Sequence, residues 1–122
     1  MTRYQVFDPG KHVSELQEME FSTLATFESG HVGVFWSEAG GPGPWEMHPN
    51  AEELLHVLEG CVEIEILPSD TTQPSDRVRL EAGSFLVVPK GLWHRHHMLE
   101  RTREMYLSPA DTEHSHEPDP RT

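Results

Sequence analysis

Cysteine is almost missing from this 122-residue chain, in which Cys61 stands alone. One thiolate can build no internal disulfide, zinc ribbon or iron–sulfur cluster, and the count fits a reducing compartment. Cations are scarce too. Nine Lys plus Arg stand against 21 Asp plus Glu, a formal net charge of −12. Such acidity argues against nucleic acid or anionic membrane as a main partner, because each phosphate contact calls for a cation. No apolar run approaches the roughly 20 residues of a membrane-spanning helix, and residues 1–10 lack a signal-peptide core. There is no Gly-x-Ser-x-Gly elbow, no phosphate-binding glycine loop and no His-Glu-x-x-His helix. The expectation is a small, acidic, cytoplasmic domain. It is rich in two residue types, with nine His and ten Pro.

The pattern along the chain reads as all-β. Residues 21–28 and 32–37 are rich in β-branched and aromatic side chains and predict two strands joined by a turn at 29–31. Residues 39–44, Ala-Gly-Gly-Pro-Gly-Pro, can only be loop. Residues 62–67 and 77–80 alternate and predict a hairpin, and 84–88 is a short strand stopped by Pro89-Lys90-Gly91. Residues 94–99 and 104–107 complete the set. Residues 1–20 are expected to form a weakly structured arm, with a turn at Asp8-Pro9-Gly10 and weak helical character over 13–20. Residues 21–108 form the folded domain, and 109–122 a flexible acidic, His-containing tail. Short strands punctuated by turns predict a sandwich or barrel. One segment conflicts: 50–60 carries an N-cap Asn50, Glu53 at the capping-box position and a terminal Gly60, the local signature of a short helix.

The chemistry concentrates in Glu46-Met47-His48, then Glu53, then His94 far downstream. On an extended strand Glu46 and His48 leave the same face. Glu53 is far enough on to turn back into the same cavity, and His94 follows a Pro-Lys-Gly loop that can hand it inward. Two imidazoles with one or two carboxylates suit Fe(II), Mn(II), Ni(II) or Zn(II). His96 shares strand parity with His94 and is a candidate proton carrier lining the cavity. His56, His97, His114 and His116 read as surface residues, the last two as solvated in the tail. Arg79, Arg95 and Arg101 are candidates to anchor a carboxylate substrate, against the commoner fate of surface ion pairing.

These residues bring the sequence close to the cupin superfamily, which it resembles in both signature motifs. Gly40, five residues, Glu46-Met47-His48, four residues, Glu53, six residues and Gly60 follow the first motif. Gly83, five residues, Pro89-Lys90-Gly91, two residues and His94 follow the second. Glu46 stands where the first motif has its first His, and Met98 where the second has Asn. The resemblance implies a small antiparallel β-barrel or jelly roll, so that 50–60 becomes loop plus strand. It also implies one divalent metal on His48, Glu53 and His94, with Glu46 either a fourth ligand or a proton acceptor beside the metal. A homodimer and a small-molecule substrate or ligand follow from the same resemblance.

The expected function is metal-dependent chemistry on a small oxygenated molecule, by a dioxygenase or a metal-assisted isomerase or lyase, with Glu46 or His96 moving a proton. The alternative is a non-catalytic module that binds or senses a small metabolite, including a barrel that has lost its metal. Leu55, Phe85 and Val87 are expected to pack the barrel interior, with Trp36 in the core and Trp45 and Trp93 at a rim or interface. Cys61 reads as an inert buried thiol.

Overall fold

Alternation wins over helical periodicity along nearly the whole chain. The structure, a computed structural model, describes residues 4–27 and 30–121; Glu28 and Ser29, part of the first expected strand and turn, lie outside the described residues. One helix, α1 (Pro9–Val13), precedes ten strands: β1 (Ser22–Phe27), β2 (Gly30–Ser37), β3 (Trp45–Met47), β4 (Glu53–Glu59), β5 (Cys61–Ile66), β6 (Asp76–Glu81), β7 (Phe85–Val88), β8 (His94–Met98), β9 (Thr102–Pro109) and β10 (Glu113–Ser115). They form two five-stranded antiparallel sheets, ordered β1-β2-β9-β4-β7 and β10-β3-β8-β5-β6. This is the jelly-roll arrangement expected of the chain.

The turn expected at Asp8-Pro9-Gly10 is the start of α1. Asp8 caps the helix by accepting from Lys11 N at 3.0 Å, and Pro9 occupies its first turn, where no amide donor is needed. The helix lays the fully buried Val13 on the outer face of the first sheet, where Val34 is also fully buried. Trp36, expected in the core, is half-buried on that same outer face. Its Nε1 donates to Leu16 O at 2.7 Å and Arg101 lies 4.9 Å over its ring.

The helical signals of residues 50–60 lose to sheet pairing. From Glu53 onward the segment is β4, bonded on both sides, to β7 and to β9. Its buried positions alternate, which suits a strand between two neighbours and not a helix. Gly60 is the corner into β5 at φ +99°, where a Cβ would strike the backbone at Arg101 and Thr102.

The core lies between the sheets and includes Leu55, Val57, Val62, Ile64, Leu80 and Val88. Phe85 and Val87 do not join it: they are 61% and 41% exposed. The β4–β7 register pairs Leu55 with Leu86 and Glu53 with Val88, so the inward face of β7 is the even-numbered one. A one-residue change of parity inverts a whole strand. Cys61 is buried, as expected.

The tail expected to be flexible carries structure. Strand β10 pairs with β3, His114 opposite Glu46 and Ser115 opposite Trp45. Arg121 Nη1 donates to the carbonyls of Pro68, Asp70 and Gln73 at 3.0, 3.0 and 2.9 Å, tying the chain end to the β5–β6 loop. One consequence corrects a second expectation. Trp45, expected at a rim, is only 2% exposed, because β10 runs beside it and the Arg95 guanidinium sits 4.1 Å above its ring.

Candidate metal centre

Strand pairing brings the four chemically suited residues together from three parts of the chain. Glu46 and His94 are direct neighbours in the β3–β8 ladder. His48 follows at the end of β3, where its carbonyl accepts from Gly91 N at 2.8 Å and so joins the first loop to the second. Glu53 opens β4 on the other sheet and reaches across. Its Oε1 lies 3.1 Å from His48 Nε2 and 3.0 Å from His94 Nε2, and Glu46 Oε2 is 3.8 Å from His94 Nε2. One ligand atom from each of Glu46, His48, Glu53 and His94 falls within 4.8 Å of the others. His48, Glu53 and His94 are buried, and Glu46 is partly open to the cavity.

The electrostatics are those of a cation site held together by protons. Burial opposes the charge on Glu53, but the His48 and His94 imidazoles beside it outweigh that and hold the carboxyl at about 2. Burial likewise pulls the His48 pKa down, and the Glu53 carboxylate outweighs it, leaving His48 above its ordinary value. His48 Nε2 is buried, faces Glu53 and has no hydrogen-bond partner of acceptable geometry. Its other nitrogen is supported: Nδ1 lies 3.0 Å from Thr112 Oγ1 and 3.3 Å from the Asp111 carbonyl. A carbonyl can only accept, so Nδ1 carries a hydrogen and Nε2 is the nitrogen directed at the carboxylates, its lone pair free for a metal once its own proton leaves. His94 lacks such support, its Nδ1 being buried without a partner. The donor set, two imidazole nitrogens and two carboxylates, fits a divalent metal of intermediate hardness.

Around these residues lies a cavity of about 570 Å³. His96 lines it, on the same face of β8 as His94, but its Nε2 is engaged by both oxygens of Glu104, at 3.1 and 3.0 Å. Burial disfavours the charge on His96, yet the adjacent Glu104 carboxylate pushes its pKa up to about 9. Glu104 is fully buried. Sequence reading missed it, although its place in the alternating run of β9 puts it on the face of Tyr106. One wall of the cavity is aromatic. Phe21 stacks on Phe35 at 4.4 Å between ring centroids, and Tyr106 lies 6.2 Å from each. The Tyr106 hydroxyl packs over Gly33, where any Cβ would collide with it.

The tail also enters the site. Thr112 and His114 line the cavity, and His114 Nε2 is 3.5 Å from Glu46 Oε1. Nothing in the sequence pointed to this, because the β3–β10 pairing that places them leaves no periodic trace in three residues. The other His and Arg side chains singled out in the sequence lie elsewhere. His56 bonds to the Ser84 carbonyl at 3.0 Å, and His97 to Glu65 at 2.8 Å. Arg95 pairs with Glu65, Arg79 with Glu81 and Arg101 with Glu38.

Comparison with known proteins agrees with this architecture. The Cupin domain family matches residues 34–108. A germin-like protein 8-12 of Oryza sativa subsp. japonica is 32% identical over 85 residues, 70% of this chain; the chain spans 37% of that protein's length. Among solved structures, a cupin-2 domain containing protein from Shewanella frigidimarina superposes with a TM-score of 0.69 at 22% identity, covering 85% of this chain and 94% of that one. Hydroquinone 1,2-dioxygenase from Sphingomonas sp. TTNP3, with 4-hydroxybenzoate bound, superposes with a TM-score of 0.65 at 14% identity, covering 84% and 74%. With its two antiparallel sheets, both motif loops and a family match over most of its length, this chain is a member of the cupin superfamily.

Proposed function

We propose that Glu46, His48, Glu53 and His94 hold one divalent metal ion, iron, manganese, nickel or zinc, and that the protein is an enzyme acting on small oxygenated organic molecules. The observation that carries this reading is the convergence of four ligand atoms within 4.8 Å around a buried His48 Nε2 that has no hydrogen-bond partner. When bound, such a metal supplies Lewis acidity and, if redox-active, the means to bring O2 into the reaction, consistent with dioxygenase or isomerase and lyase chemistry.

The residues divide the remaining work. Glu46 is the ligand candidate most open to the cavity, with His114 beside it, and takes a proton from a substrate hydroxyl or carbon acid. His96 keeps its Nε2 proton on Glu104, so it stands second to Glu46 as a proton carrier. Phe21, Phe35 and Tyr106 give the cavity an aromatic wall. Cytoplasmic residence and a homodimer belong to the same reading, supported by the lone buried thiol and by Phe85 and Val87 exposed on the edge strand β7. Among the described residues no helix is long and apolar enough to cross a membrane.

Elemental mass spectrometry of the untagged protein beside His94→Ala tests the metal reading. One equivalent of iron, manganese, nickel or zinc, lost in the variant, is the expected result. No metal in either protein after anaerobic reconstitution overturns it and leaves a metal-free binding barrel. Once the metal directs a substrate screen, Glu46→Gln should abolish turnover while His48, Glu53 and His94 together keep the metal.

A further inference from the structure

Resting on the metal reading, we propose that the cavity selects a compact uncharged ligand, a flat ring bearing a hydroxyl or carbonyl oxygen, over a carboxylate. Two independent features of the cavity lead there, its charge and its wall.

Four carboxylates line it, Glu38, Glu46, Glu53 and Glu104, and among the described residues no Lys or Arg side chain does. Of the arginines that the sequence offered as carboxylate anchors, Arg79 pairs with Glu81 and Arg95 with Glu65 away from the cavity, and Arg101, outside the lining, is taken up by Glu38. His96 balances Glu104, and a divalent ion balances Glu46 with Glu53. The loaded cavity is therefore already close to neutral. An uncharged ligand enters it without leaving a charge uncompensated, whereas a carboxylate adds a desolvated anion with no guanidinium or ammonium to receive it.

One wall of the same cavity is built for a ring. Phe21 and Phe35 stack with their planes 21° apart, and Tyr106 sits at 49° to Phe35. The imidazoles of His31 and His96 extend this surface edge-on, 5.8 Å from Tyr106 and 6.0 Å from Phe35 respectively. Such a surface rewards offset stacking or edge contact by a planar ligand. The cavity of about 570 Å³ lies within the range of small-molecule sites and holds one ring with room for its substituents. A ring oxygen then points toward Glu46, Glu53 and the metal position, while the ring meets the wall.

The experiment compares four probes, phenol, benzamide, benzoate and oxalate, by ligand-observed NMR on Zn(II)-loaded protein and again after EDTA treatment. Benzamide and benzoate share a shape and differ in charge. Phenol and benzamide are expected to bind at least about ten-fold more tightly than benzoate or oxalate in both preparations. Phe21→Ala, at a half-exposed position, should weaken the two uncharged rings about three-fold or more while zinc content stays unchanged. Benzoate or oxalate binding as tightly as benzamide, or no ring binding to protein that holds zinc, overturns the proposal. Failure of the protein to take up zinc overturns the metal reading instead, and the EDTA-treated titration then decides the ligand preference by itself.

Discussion

Thr112 Oγ1 lies 3.0 Å from His48 Nδ1, across 64 residues of sequence, and shares that nitrogen's hydrogen with the Asp111 carbonyl. A residue of the C-terminal segment therefore fixes which nitrogen of His48 faces the carboxylates. Outer partners of this kind typically account for about 10–100-fold in metal affinity. Thr112→Val, which keeps the shape and deletes the hydroxyl, is expected to weaken metal binding about ten-fold, the carbonyl contact retaining the rest. Thr112→Ser should restore it. Competition titration against a chelator of known affinity measures both, and a valine variant with parental affinity would refute the assignment.

Metal binding should stabilise the fold, because Glu46 and His48, Glu53, and His94 come from three segments that only the folded chain brings together. At free metal a hundred-fold above Kd the gain is about 2.7 kcal/mol, a rise in Tm of about 10 °C for a chain of this size. Scanning calorimetry with metal and with EDTA reads this directly. His94→Ala should melt at one temperature in both conditions.

Acid should act on the outer face of the second sheet. There Glu65, 6% exposed, accepts from Arg95 at 2.8 Å, His97 at 2.8 Å and Ser75 at 2.7 Å. Burial pushes its pKa up, but these donors prevail and hold it at about 2, against an ordinary value of 4.5. A depressed carboxyl pKa stabilises the fold above pH 4.5, and that contribution is lost as pH falls toward 2. Glu65→Gln should lower stability at pH 7 by about 2 kcal/mol, the solvent near the network reducing the full linkage value. The variant should also show a shallower loss between pH 4.5 and 2. Urea titrations of the EDTA-treated protein at several pH values separate this effect from metal release, and parallel curves for the two proteins would contradict it.

Gly33→Ala tests the aromatic wall. The added methyl collides with the Tyr106 ring and hydroxyl, so the ring must move off β2 into the cavity. Overpacking of this kind costs about 1–3 kcal/mol. Urea denaturation should show that loss with metal content unchanged, since neither residue belongs to the candidate ligand group.

Much of the candidate site was legible in the sequence, and for a physical reason. Glu46, in β3, and His48, just after it, come to one site because side chains two apart on an extended segment leave the same face, and both belong to a motif whose spacing survives as residue order. Glu53 was harder to place. Its local signals favoured a helix, and only the hydrogen bonds of β4 to both β7 and β9 override them. The inward face of β7 was misread because four residues contain no internal reference for parity; it is the register against Leu55 that turns Leu86 in and Phe85 out. Trp45 looked like a rim residue until a strand from the far end of the chain was laid beside it.

Local pattern and functional-group chemistry were enough for the all-β class, the strand and loop alternation and the identity of the metal-suited side chains. Long-range pairing was needed to put Glu53 Oε1 3.0–3.1 Å from both imidazoles, to bring Glu104 to His96 and to add Thr112 and His114 to the cavity. Those contacts join residues up to 68 positions apart, Glu46 and His114, and no local preference encodes them. They exist because hydrogen bonding between strands remote in sequence fixes one register, and with it the face on which every side chain appears.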